Sequence, residues 1–120
     1  MSWLSAEEFA HLVERALAGL PQQFLDLLDN VAIVVEEEPS PEDLALAGTD
    51  GEEELFGLYH GLSLPERGAS YGNVLPDRIV LFRGPLLRHC QTRRELEEEI
   101  RATVIHEIGH YFGLDEEDLP

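Results

Sequence analysis

The 120-residue sequence is 43% hydrophobic and 28% charged, carries a formal net charge of −17 and contains one cysteine, Cys90. The negative charge disfavours nucleic acid and anionic membrane surfaces as partners, since both need cations on the protein, and no apolar run reaches the roughly 18 residues that span a bilayer. The expectation is one domain over residues 1–120, cytoplasmic, with no secretory-type N-terminus and with Cys90 as a small buried residue that cannot form an internal disulfide.

Ser5 and Glu8 form a capping box that opens the first helix. Phe9, Leu12, Val13, Ala16, Leu17 and Leu20 then repeat as one apolar stripe. Pro21 breaks this helix, and the segment from Gln22 to Asp29 reads as one or two further turns. The β-branched run Val31 to Val35 predicts a strand. Ser40 with Pro41 at the first helical position predicts a short helix to about Ala47. Thr49 to Glu54 reads as an acidic turn, Leu55 to His60 as a second strand, and residues 61–76 as a loop rich in Gly, Ser and Pro. Arg78 to Phe82 is a third predicted strand, ended by Gly84 and Pro85, which start a helical turn. The glutamate runs at 36–38, 52–54 and 97–99 read as solvated faces. Arg78, Arg83 and Arg88 read as surface charges, His11 and His89 as structural residues, and Asp77 as a turn or cap.

Thr92 and Glu95 form a second capping box. From there a helix can run to Gly113, with Leu96, Ile100, Val104 and Ile108 as its core-facing row. Together these elements predict the α+β class: an N-terminal helix, a small mixed sheet of about three or four strands and a C-terminal helix.

The final helix carries His106-Glu107-Ile108-Gly109-His110. Histidines at i and i+4 project from one face and can converge on one ion. Zinc favours such nitrogen donors and, in catalytic sites, keeps one position for water. Glu107 directly follows the first histidine, where a general base takes a proton from that water. For this composition some HExxH arises by chance with a probability of roughly 3%, and one with Gly three residues after the second His with roughly 0.3%, so the longer motif is the informative one. A third ligand is expected from the segment after Gly113. The spacing HExxHxxGxx places it at Glu116, with Asp115, Glu117 and Asp118 as close rivals and a water-only position as the remaining alternative. The expected cofactor is one Zn²⁺ per chain, held by His106, His110 and Glu116.

The sequence resembles the small bacterial zincin-like metallopeptidase family. The resemblance covers nearly the whole chain. It rests on the Leu-Pro-x-x-Phe segment from Leu20 to Phe24, on Gly57, Tyr59 and Gly61, on Leu75, Pro76, Asp77 and Ile79, and above all on His106 to Leu114. It implies a minimal zincin fold and a zinc-dependent peptidase that acts on peptide or protein substrates, with Glu107 as the base. Met1 is the only methionine, so the Met-turn of the wider metzincins is absent. Tyr59 and His60 end the second strand. Tyr59 is a candidate donor to a developing oxyanion, and this strand is a candidate edge for an extended peptide. Two other readings stand beside the peptidase: a degenerate zincin that binds metal or peptide without turnover, and an interaction domain in which the motif is incidental.

Overall fold

The computed structural model describes residues 3–48, 54–61 and 77–112. Helix α1 (Ala6–Ala18) begins at the expected capping box: the Ser5 hydroxyl accepts from the Glu8 N–H, and the Glu8 side chain accepts from the Ser5 N–H. The chain restarts after Pro21 as α2 (Gln22–Leu27), which buries Phe24. Strand β1 (Val31–Glu36) leads to α3 (Pro41–Ala47), where Ser40 and Asp43 form another capping box. Gly48 ends α3 at φ 77°, a left-handed conformation that favours glycine.

Strand β2 covers Gly57–His60, two residues shorter than the sequence suggests. Phe56 still joins the ladder, its carbonyl accepting from Phe82 N–H at 2.9 Å. Strand β3 (Asp77–Phe82) runs straight into α4 (Arg83–His89), with no gap at Gly84. Helix α5 (Arg93–Phe112) is the expected long C-terminal helix, and the Thr92 hydroxyl caps it by accepting from Glu95 N–H at 3.1 Å. Gly113, the expected stop, lies outside the described residues, as do the acidic turn at 49–53 and most of the 61–76 loop.

The three strands form one mixed sheet in the order β1-β3-β2. β1 runs parallel to β3, and β2 runs antiparallel to it. Central β3 is buried on both faces, which explains its continuous apolar run. Ile79 and Leu81 join the main core with α1, α4 and α5, while Val80 and Phe82 pack with Leu58 on the other face. The α+β expectation therefore holds, with three strands among the described residues. No helix among them is long and apolar enough to cross a membrane.

The orientation of α5 matters most for the site. Leu96, Ile100, Val104 and Ile108 are all fully buried. Each such side chain contributes about 1.5–3 kcal/mol on burial, so rotating the helix by one residue would forfeit several of these contributions together. This row thus sets which way the opposite, polar face points.

Gly57 lets α5 lie close over β2. A Cβ there would meet Thr103 Cγ2 at 2.7 Å and the Val80 carbonyl oxygen at 3.1 Å. Gly57→Ala should therefore destabilise the protein by about 1–3 kcal/mol through overpacking. Adding Thr103→Ser, which removes the clashing methyl, should recover part of that loss. Urea unfolding of the single and double variants checks this, and equal stability of Gly57→Ala and wild type would refute the close approach.

Two sequence readings need correction. Arg83 is not a surface charge: it is buried, and its guanidinium donates to the Leu4 carbonyl at 2.5 Å and to Glu37 at 2.7 Å. The glutamate runs are not merely solvated. Glu38 and Glu54 both pair with Arg88, and Glu97 pairs with Arg15 and Arg101. Cys90 is buried as expected, and burial pushes its thiol up to about 11.

Candidate metal centre

His106, Glu107 and His110 come together on the polar face of α5. Their potential ligand atoms all lie within 4.8 Å of one another. The imidazoles of His106 and His110 are adjacent, with ring centroids 4.3 Å apart and planes tilted by 48°. Both histidines are exposed and Glu107 is half-buried. Two imidazoles beside a carboxylate suit zinc or a similar transition ion better than Ca²⁺ or Mg²⁺, which prefer oxygen alone. Asp115, Glu116, Glu117 and Asp118, the candidates for a third ligand, lie outside the described residues.

Among the described residues β2 is the outer strand on its side of the sheet, and α5 packs beside it. The Phe56–Phe82 bond sets the alternation along β2. The N–H groups of Gly57 and Tyr59 therefore point away from β3. That of Tyr59 donates to Glu107 Oε1 at 3.0 Å. Burial raises the Glu107 carboxyl above its ordinary range, opposed by this N–H and by the two nearby histidines. A backbone amide has no signature in sequence, so this contact could not be read from the residues.

The neighbouring side chains differ from their sequence readings. The Tyr59 hydroxyl donates to Asp77 Oδ2 at 2.9 Å. Tyr59 thus approaches Glu107 through its backbone, whereas the sequence made its hydroxyl the candidate oxyanion donor. Asp77 opens β3 as a buried strand residue rather than a turn. His60 Nε2 lies 3.3 Å from Asp43 Oδ1, which ties the end of β2 to the first turn of α3.

Beside the triad lies an open groove of about 480 Å³ between α3, the start of β2 and α5. Glu99, Thr103, His106, Glu107 and His110 line its helical side. They follow at i, i+4, i+7, i+8 and i+11, a single stripe that flanks the buried row.

This arrangement can be compared with known proteins. A sequence model described as zincin-like metallopeptidase matches residues 28–120. The chain belongs to the zincin-like metallopeptidase family. Among solved structures, this zincin-like chain is similar to a conserved hypothetical protein from Thermo thermophilus. The two share 26% identity and a TM-score of 0.59, over 91% of this chain and 94% of that one. No curated protein matches. Family membership points to a metal ion, typically zinc, and the His106–Glu107–His110 cluster is a group that could hold one.

Proposed function

We propose that this zincin-like protein is a zinc-dependent peptidase. The observation that carries the reading is the placement of Glu107. Its carboxylate lies within 4.8 Å of ligand atoms of two histidines and is aimed by a hydrogen bond from β2. A site that only held metal would not need a base fixed at that point, which favours turnover over a degenerate zincin.

His106, His110 and, from the tail, Glu116 would hold the ion. Bound zinc supplies Lewis acidity towards water and a peptide carbonyl. Glu107 takes the proton from the attacking water and returns it to the leaving amine. The bond from Tyr59 N–H restricts the carboxylate to one position for both transfers. The outward N–H and C=O of Gly57 offer an extended peptide a strand to pair with, and this brings its backbone across the histidines.

The purified protein, prepared without a His-tag or chelator, should contain about one zinc per chain by elemental analysis. A value near zero that added zinc does not restore would overturn the reading. The same protein tests the third ligand. Glu116→Ala should weaken zinc by at least the roughly 10- to 100-fold that loss of a supporting partner costs, and Asp118→Ala far less. The opposite ranking in a zinc competition titration would reject Glu116 and leave the histidine pair untouched.

A further inference from the structure

The groove beside the triad is built from two chemistries. Leu46 and Ala47 of α3, with Leu55 and Phe56 before β2, supply apolar walls. Leu46 is 69% exposed, so its side chain is accessible from the groove. The far end carries a carboxylate, Glu99. Its Oε1 lies 3.6 Å from His89 Nε2, and the His89 ring packs against Phe56 at 5.0 Å between centroids. The Glu99 side chain is only 28% exposed, and no Arg or Lys is among the described residues that line the groove.

We infer that this groove is a subsite for a lysine or arginine side chain of a bound peptide. Its aliphatic stem lies on Leu46, Leu55 and Phe56, and its cation meets Glu99. This inference rests on the peptide reading of the site given above.

The dimensions agree. Seven residues of helix separate Glu99 from His106, a rise of roughly 10 Å. A lysine side chain has five single bonds of about 1.5 Å and reaches roughly 6 Å. A residue next to the reacting bond, its Cα a few ångströms from the histidines, thus brings its terminal amine to Glu99. Long cationic side chains bury their stems on apolar surface while the head finds a partner. A purely apolar side chain would cover the Glu99 carboxylate without pairing it, which is unfavourable. An acidic side chain would be repelled, both by Glu99 and by the field of a protein whose net charge is −17.

The test uses peptides of one sequence in which a single position, moved stepwise along the chain, is Lys, norleucine or Glu. Norleucine keeps the stem and removes the charge. Binding is read by fluorescence anisotropy on zinc-loaded Glu107→Gln protein, and cleavage by mass spectrometry on zinc-loaded wild type. At one position Lys should be preferred over norleucine by up to about fivefold, the upper range for a partly exposed ion pair. Glu99→Gln should bring that ratio close to one, and Glu99→Arg should shift the preference towards Glu. A Lys-to-norleucine ratio that Glu99→Gln leaves unchanged, or a preference for norleucine, would overturn the subsite. Glu99-dependent binding of the Lys peptide without any cleavage would end the peptidase reading but sustain the subsite. Absence of both binding and cleavage would reject the two together.

Discussion

His110→Ala should weaken zinc binding by roughly 100-fold or more while leaving the fold intact. His106 and His110 are the two nitrogen donors of the site, one helical turn apart, with rings 4.3 Å between centroids. Zinc sites of this kind bind with about 10–16 kcal/mol shared among three or four ligands. Loss of one donor therefore removes about 3 kcal/mol, a weakening of roughly 100-fold or more. The His110 side chain is exposed and makes no part of the core. The metal-free variant should thus melt within about 2 °C of the metal-free wild type, as surface substitutions commonly do. Zinc competition titration and thermal melting together check this. A His110→Ala protein that holds zinc as tightly as wild type would remove the histidine pair from the site.

Glu107→Gln should lower peptide hydrolysis by about 10²- to 10⁴-fold, the usual contribution of a positioned acid–base group, with zinc still bound. Glutamine keeps an oxygen in place of Glu107 Oε1, so it can still accept the Tyr59 N–H. The side chain stays in position and only its proton chemistry is lost. Glu107→Ala removes both, which makes the glutamine variant the sharper test. Wild-type turnover of a proven substrate by Glu107→Gln would show that the base lies elsewhere.

The same pair of proteins carries a pH signature in the metal-free state. Burial raises the Glu107 carboxyl above its ordinary 4.5. The folded protein therefore holds this proton more tightly than the unfolded chain does. The stabilisation is fully present below pH 4.5 and is lost as pH rises through the folded value. Above that window wild type keeps a partly buried charge that Glu107→Gln lacks. Metal-free Glu107→Gln should thus be the more stable of the two at neutral pH, and its advantage should shrink on acidification. Urea unfolding of both metal-free proteins across that pH range checks this.

Much of this protein was legible in its sequence because the signals were local. The helix caps at Ser5, Ser40 and Thr92 each close over three residues. The row Leu96, Ile100, Val104 and Ile108 states the burial of α5 by its spacing alone, and that spacing leaves His106 and His110 exposed with Glu107 half-buried beside the row. An i, i+4 pair on a helix shares a face whatever the rest of the chain does.

What the sequence could not carry is whatever depends on α5 docking against β2. The Tyr59 N–H reaches Glu107 across 48 residues of chain, and its availability follows from hydrogen-bond alternation along β2 rather than from residue type. Gly57 has a reason only once Thr103 lies over it. Arg83 reads as a solvated charge until the carbonyl of Leu4, 79 residues away, and Glu37 are found around it. Glu99 belongs by sequence to an acidic run, and only the meeting of α5 with Leu46, Leu55 and Phe56 makes it the end of a groove. Local spacing thus determined which side chains could hold a metal. The tertiary structure decided what aims the base and what lines the approach to it, because those contacts join residues that only the packing of helix on sheet brings together.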